Sequence, residues 1–189
     1  GEHLGAAFAT DLDRTTGRDS PPAAEEAFAC LYALCHSLGY QRRYAAALRQ
    51  ALPRLPVPRT AELLEELATL GGELIDLHLL RNITAVSIEM EGGPEGAGGR
   101  FPCFENGRVQ VSAEGFLHPV SETAWEFRVG SHQPARKWLR ERRGRRLTAE
   151  EVRCYGRLLA AADGTIALRK RIEAALEARG GWPAALGME

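Results

Sequence analysis

Eleven residues, RKWLRERRGRR (136–146), hold seven cations, Arg136, Lys137, Arg140, Arg142, Arg143, Arg145 and Arg146, against one acid, Glu141. The whole chain has a formal net charge of −1, so this excess is local. Electrostatic function must come from such clustering and not from global charge. Directly ahead stand His132 and Gln133, in a Gly-Ser-His-Gln turn. Guanidinium and ammonium groups hold phosphates, while a side-chain amide can pair its donor and acceptor with a base edge. The chemistry on offer is recognition of duplex DNA, with His132, Gln133 and the seven cations as candidate contacts. The competing reading is a solvated helix face whose charges serve only solubility.

Other chemistries find less support. Cys30, Cys35, Cys103 and Cys154 contain no CxxC pair and fit no zinc ribbon or finger. They read as free, packed thiols, which suits a reducing cytoplasm. Asp76 and His78 are two residues apart on a helix and face apart. Ser131 and His132 diverge as neighbours and make no nucleophile–base pair. Glu89 and Glu91 read as surface acids at a strand end. No GxxxxGK[ST] loop occurs, and GGPEGAGG is not followed by a helix, so it is no dinucleotide fingerprint. These residues imply no catalytic site, no metal and no cofactor.

The elements that must carry the basic run follow from pattern. Residues 1–19 read as a flexible tail. Ser20-Pro21-Pro22 with Glu25 and Glu26 starts a helix whose apolar face is Ala24, Phe28, Leu31, Tyr32, Cys35 and Leu38, ended by Gly39. A second helix covers about Arg42 to Leu52, and Pro53 to Arg59 breaks it. A third follows Thr60 with Leu63, Leu64, Leu67, Leu70, Leu74, Ile75 and Leu77, and its Gly71-Gly72 marks a close helix crossing. Ile83 to Met90 reads as a strand. Asn106-Gly107 closes a hairpin between Arg100–Glu105 and Arg108–Ser112. Trp125, Phe127 and Val129 alternate with Glu126 and Arg128, which reads as a strand presenting the turn. A short helix follows Pro134, anchored by Trp138 and Leu139. Thr148 and Glu151 form a capping box for a long helix that Asp163-Gly164 bends and Gly180-Gly181 stops.

The expected class is α+β: an N-terminal helical bundle, a small antiparallel sheet with a hairpin, and long C-terminal helices. Residues 20–181 are expected to form one domain (20–80 helical, 83–130 β-rich, 134–180 helical), with 182–189 as a tail. Hydrophobic residues are 44% and charged residues 26%, ordinary for a globular chain. No run of 18 apolar residues and no signal-peptide pattern occurs, so the expected location is the cytoplasm, with no membrane partner.

A family resemblance covers most of the chain. Tyr40 and Tyr44, Pro53-Arg54-Leu55-Pro56, Leu70-Gly71 and the Leu74 to Leu80 segment resemble the helical entry to the C-terminal specificity domain of Type ISP restriction-modification enzymes and related adenine-specific DNA methyltransferases. Trp125-Glu126-Phe127, Val129-Gly130, Gln133 and Lys137-Trp138-Leu139 resemble that family's most distinctive block. The stretch from Arg142 through the closing helix is similar to its Arg-Gly-Arg-x-Leu turn. The resemblance implies a target recognition domain that grips duplex DNA while a neighbouring methyltransferase flips and methylates an adenine. Two departures stand out. His132 occupies a place where an aromatic is commoner. The chain also lacks an Asn/Asp-Pro-Pro-aromatic motif, an S-adenosylmethionine loop, a helicase motor and a nuclease; Asp19-Ser20-Pro21-Pro22 is not that motif. This chain alone is therefore expected not to be an enzyme, and to act as an excised domain, a separate subunit or a remnant beside a methyltransferase or restriction subunit. Two alternatives stay open: an interaction module that docks its helical half onto a defence-complex partner, and an enzyme with a pocket around Asp76, His78 or His132.

Overall fold

Small residues and one glycine decide how the N-terminal helices meet. The computed structural model describes residues 22–46, 56–93 and 101–186. In it α1 (Ala24–His36) and α2 (Leu38–Arg43) precede α3 (Ala61–His78), whose cap is Thr60, accepting from the Leu63 amide at 3.2 Å. A Cβ placed on Gly71 of α3 would lie 1.8 Å from the Ala29 carbonyl oxygen of α1. The two backbones therefore touch, as the expected close crossing requires. Contact this close selects short side chains, so α1 buries Ala27, Ala29, Cys30, Ala33 and Leu34. The expected face was the neighbouring one. Phe28 stands 57% exposed, because a large ring cannot enter so tight a crossing.

The described residues up to Leu79 and from Ile166 onward form one compact unit, and those between Leu80 and Thr165 form another. The first unit's core joins Leu63, Leu64, Leu67 and Leu74 of α3 to Leu168, Ile172 and Leu176 near the chain's C-terminal end. Burying a leucine or isoleucine fully is worth about 1.5–3 kcal/mol, and all of these except Leu168 are fully buried. Gly39 does not end the first helix. Ser37 does, and it also caps α2 by accepting from the Tyr40 amide at 3.1 Å. Gly39 sits inside α2 against Trp182 and Glu173. The expected second helix is cut short: α2 ends at Arg43, Tyr44 is its C-cap and residues 44–46 form a turn, while residues 47–52 of that expectation, and Ser20-Pro21, lie outside the described residues. Residues 182–186, expected as part of a tail, instead put Ala185 and Leu186 into the core and pair Pro58 with Leu186.

The second unit holds β1 (Glu89–Glu91), β2 (Cys103–Glu105), β3 (Arg108–Gln110) and β4 (Phe116–His118), an antiparallel sheet ordered β1-β4-β3-β2. Glu105 pairs with Arg108, and Asn106 and Gly107 both have positive φ (51° and 77°), the two-residue hairpin the dipeptide predicts. The expected strand over Ile83–Met90 shortens to β1. Upstream of it the backbone pairs with a helix: the Val86 amide donates to the Gly156 carbonyl at 3.2 Å. A Cβ on Gly156 would come within 2.3 Å of the Val86 oxygen, so a helical glycine admits this segment.

The expected strand at Trp125–Val129 is also corrected. Ser121 accepts from the Ala124 amide at 3.0 Å and starts a short helix, α4 (Glu122–Glu126). Ser121 and Thr123 both donate to Asp163, which holds that helix start. Alternation over five residues did not distinguish a strand from one helical turn followed by extended backbone. Trp125 is buried, but Val129 is 56% exposed, so no face of a strand continues there. α5 (Pro134–Arg140), α6 (Ala149–Glu177) and α7 (Gly181–Ala184) complete the chain. Thr148 and Glu151 cap α6 reciprocally, amide to side chain, at 3.0 and 3.2 Å. α6 is continuous through Asp163-Gly164 over 29 residues. The described residues thus form seven helices and a small antiparallel sheet, the α+β class expected.

Candidate nucleic-acid interface

The basic element is built by a turn, an amide and a proline. After α4 the chain folds back at Gly130 (φ +59°), where Val129 and His132 exchange backbone hydrogen bonds of 2.9 and 3.1 Å. The turn stands outside the four-stranded sheet, so the sheet does not present it. Gln133 closes the loop instead: its side-chain amide donates to the Trp125 carbonyl at the end of α4. Pro134 then opens α5, where a missing amide costs nothing. Ala135 and Leu139 point into the core. Trp138 packs on Tyr155 with ring centroids 5.3 Å apart. That anchoring leaves Arg136, Lys137 and Arg140 exposed on the other side.

These residues line an open groove with Arg128, Ser131, His132, Gln133, Glu141 and Arg143. Five cations thus face one acid, and Lys137 stands 3.9 Å from Glu141. Among the described residues, Arg128, Arg136, Arg140 and Arg143 make no ion pair or hydrogen bond. Unpaired guanidinium groups gathered on one concave surface attract anions, and planar bidentate geometry suits phosphate oxygens.

The other expected cations go elsewhere. Arg142 lies over the Trp138 ring, 3.8 Å from its centroid, donates to the Trp138 carbonyl at 3.1 Å and faces Glu151 at 3.4 Å. Arg145 grips both carboxylate oxygens of Glu151. Those hydrogen bonds and the Thr148 amide hold the Glu151 carboxyl down at about 2, so it stays ionised through the neutral range. Arg146 is exposed but does not line the groove. Of the expected contacts, His132, Gln133, Arg136, Lys137, Arg140 and Arg143 come together, whereas Arg142, Arg145 and Arg146 do not. Arg128 and Ser131 were missed. Read as part of a strand, Arg128 faced solvent opposite Trp125 and Phe127; only the reversal at Gly130 brings it to the groove.

Residues 3–159 match the Type ISP C-terminal specificity domain family. The chain belongs to that family. Solved structures share the specificity domain's fold at low identity. A DrdV–DNA complex matches at a TM-score of 0.67 and 17% identity, over 90% of this chain and 19% of that one. The ATP-dependent Type ISP restriction-modification enzyme LlaBIII bound to DNA matches at 0.65 and 15%, over 86% and 12%. A nuclease-deletion mutant of the Type ISP enzyme LlaGI with a DNA substrate mimic matches at 0.62 and 17%, over 82% and 17%. The chain therefore spans less than a fifth of each of these proteins. No curated protein matches it.

Among the described residues, no group of three or more His, Cys, Asp and Glu side chains is placed to hold a metal, and no helix is long and apolar enough to cross a membrane. His78 lies outside the groove. Its Nδ1 meets the Tyr32 hydroxyl at 2.7 Å, and its ring lies 5.1 Å from that of His36. Burial lowers the pKa of both imidazoles.

Proposed function

We propose that this specificity domain recognises duplex DNA through the groove of Arg128, Arg136, Lys137, Arg140 and Arg143, as the recognition part of a restriction-modification system. The observation that carries the reading is the set of guanidinium groups that pair with nothing among the described residues and gather on one concave surface, in a chain whose net charge is −1. Family membership supports it, as do the DNA-bound proteins that share the fold. Methylation or cleavage would belong to a larger enzyme, in cis or in trans, since the chain spans at most 19% of those proteins. His132 at the rim would meet base edges. Gln133, its amide given to Trp125, would shape the groove. The two units would act together as one recognition module.

A selection from a pool of randomised duplexes tests this directly. Recognition predicts enrichment of one sequence motif by the wild-type chain and its loss when Arg136, Arg140 and Arg143 are replaced by alanine. Recovery of an unenriched pool by the wild type would leave a specificity role without support.

A second reading rests on one observation. Phe28, Tyr32 and His36 follow at four-residue spacing along α1, with ring centroids 6.0 and 4.4 Å apart, and Phe28 is exposed. Such a stripe suits docking onto the companion enzyme. Loss of co-purification with the companion on replacing Phe28 by serine would support it.

A further inference from the structure

We infer that Glu151 is a positioning residue that divides the basic run into two sets, withdrawing Arg142 and Arg145 from the anion and leaving the groove cations to meet it. The inference rests on the DNA reading for the identity of the anion, but the division stands on geometry alone.

Three observations carry it. First, Glu151 does two jobs at once: it accepts the Thr148 amide to cap α6 and takes Arg145 through both carboxylate oxygens, with Arg142 Nε at 3.4 Å. Second, Arg142 is held again from its other side, by the ring and the carbonyl of Trp138. Third, the cavities differ. Arg142 and Arg145 line a separate depression with Met90, Pro102, Val111 and Leu147, whereas Arg136 and Arg140 line the groove. Arg143 lines both and so marks the border. A guanidinium whose charge is already balanced by a bidentate carboxylate gains less from a phosphate, so its contribution is weakened before any ligand arrives.

The function of the division is orientation. A uniform basic surface would slide over phosphates in many poses. With Arg142 and Arg145 held back, the cations of α5 that face the groove, Arg136, Lys137 and Arg140, carry the approach on one side of that helix, which favours one orientation of a duplex. Sequence alone counts seven equivalent cations; the clamp makes them unequal.

Glu151→Gln isolates the effect, because glutamine also serves in a capping box while losing the charge that holds the arginines. The first arm needs no DNA. The full chain is treated with an arginine-selective dicarbonyl reagent, and modification is mapped by peptide mass spectrometry. In the wild type, Arg136, Arg140 and Arg143 should react several-fold faster than Arg142 and Arg145, and Glu151→Gln should erase the difference for Arg145 while Arg142, still held by Trp138, stays slow. Equal reactivity of Arg145 and Arg143 in the wild type would overturn the division.

The second arm measures duplex affinity against salt. Each phosphate contact contributes about 0.9 to the slope of log affinity, roughly an eightfold change in affinity per decade of salt. Arg145→Ala should leave the slope unchanged, Arg143→Ala should flatten it by about 0.9, and Glu151→Gln, which frees Arg145, should steepen it by about 0.9. A slope flattened as much by Arg145→Ala as by Arg143→Ala would refute the division while leaving DNA binding intact. Protection in the first arm with no wild-type affinity for any duplex would instead sink the DNA reading and leave the clamp standing.

Discussion

Two adjacent glycines should respond to alanine with opposite signs. In a helix interior, alanine is favoured over glycine by about 0.8–1.0 kcal/mol. At Gly72 a new Cβ meets nothing within 4 Å, so Gly72→Ala should stabilise by about 0.5–1 kcal/mol. At Gly71 the same methyl would lie 1.8 Å from the Ala29 oxygen and 2.6 Å from its carbonyl carbon. Ordinary contact begins near 3.4 Å, so α1 and α3 would have to part by more than an ångström along a seam packed with Ala27, Cys30, Ala33 and Leu34. Overpacking of this kind costs about 1–3 kcal/mol, more where backbone must move. After the helix-propensity gain, Gly71→Ala should destabilise by about 2 kcal/mol or more. The two variants should then differ by about 3 kcal/mol, which for a chain of this size is roughly 6–12 °C in Tm. Thermal unfolding followed by circular dichroism reads this. A Gly71→Ala variant as stable as wild type, or a Gly72→Ala variant clearly less stable, would refute the close crossing as the organiser of the first unit.

Two further outcomes follow. Gln133→Ala removes the donor to the Trp125 carbonyl and should cost about 0.5–1.5 kcal/mol of stability, with duplex affinity lowered equally for all sequences; a loss confined to one preferred site would make Gln133 a base reader instead. His36 and His78 have pKa values lowered chiefly by burial, so folding favours their neutral forms, and the stability this gives is present above the ordinary value of 6.5 and lost as pH falls below it; a pH series of thermal unfolding for wild type and His78→Gln should show a smaller acid loss in the variant, and identical profiles would count against the histidine pair.

Features set by local chemistry were readable in the sequence. Thr148 with Glu151, Thr60 before its leucines, and Asn106-Gly107 each specify a cap or a turn within four residues, and each forms as expected. Features set by tertiary contact were not. The buried face of α1 depends on Gly71 some forty residues away, and the loss of the Ile83–Ile88 strand depends on Gly156 some seventy residues away. The site divides in the same way. The cluster of cations and the anchor at Trp138 were legible, since one is composition and the other helical spacing. Which arginines stay unpaired was not, because that turns on the reach of Glu151, and Arg128 joins the groove only through the fold-back at Gly130.

The measurement closest to the central claim is the salt dependence of duplex affinity for the wild-type chain and for a variant with Arg136, Arg140 and Arg143 replaced by alanine. With about three or four phosphates neutralised in the groove, log affinity should fall with log salt at a slope of roughly −3 to −4, and at roughly −1 or less steeply in the variant. A wild type with no salt-dependent affinity for any duplex, or a triple variant that binds with an unchanged slope, would contradict DNA recognition by this groove.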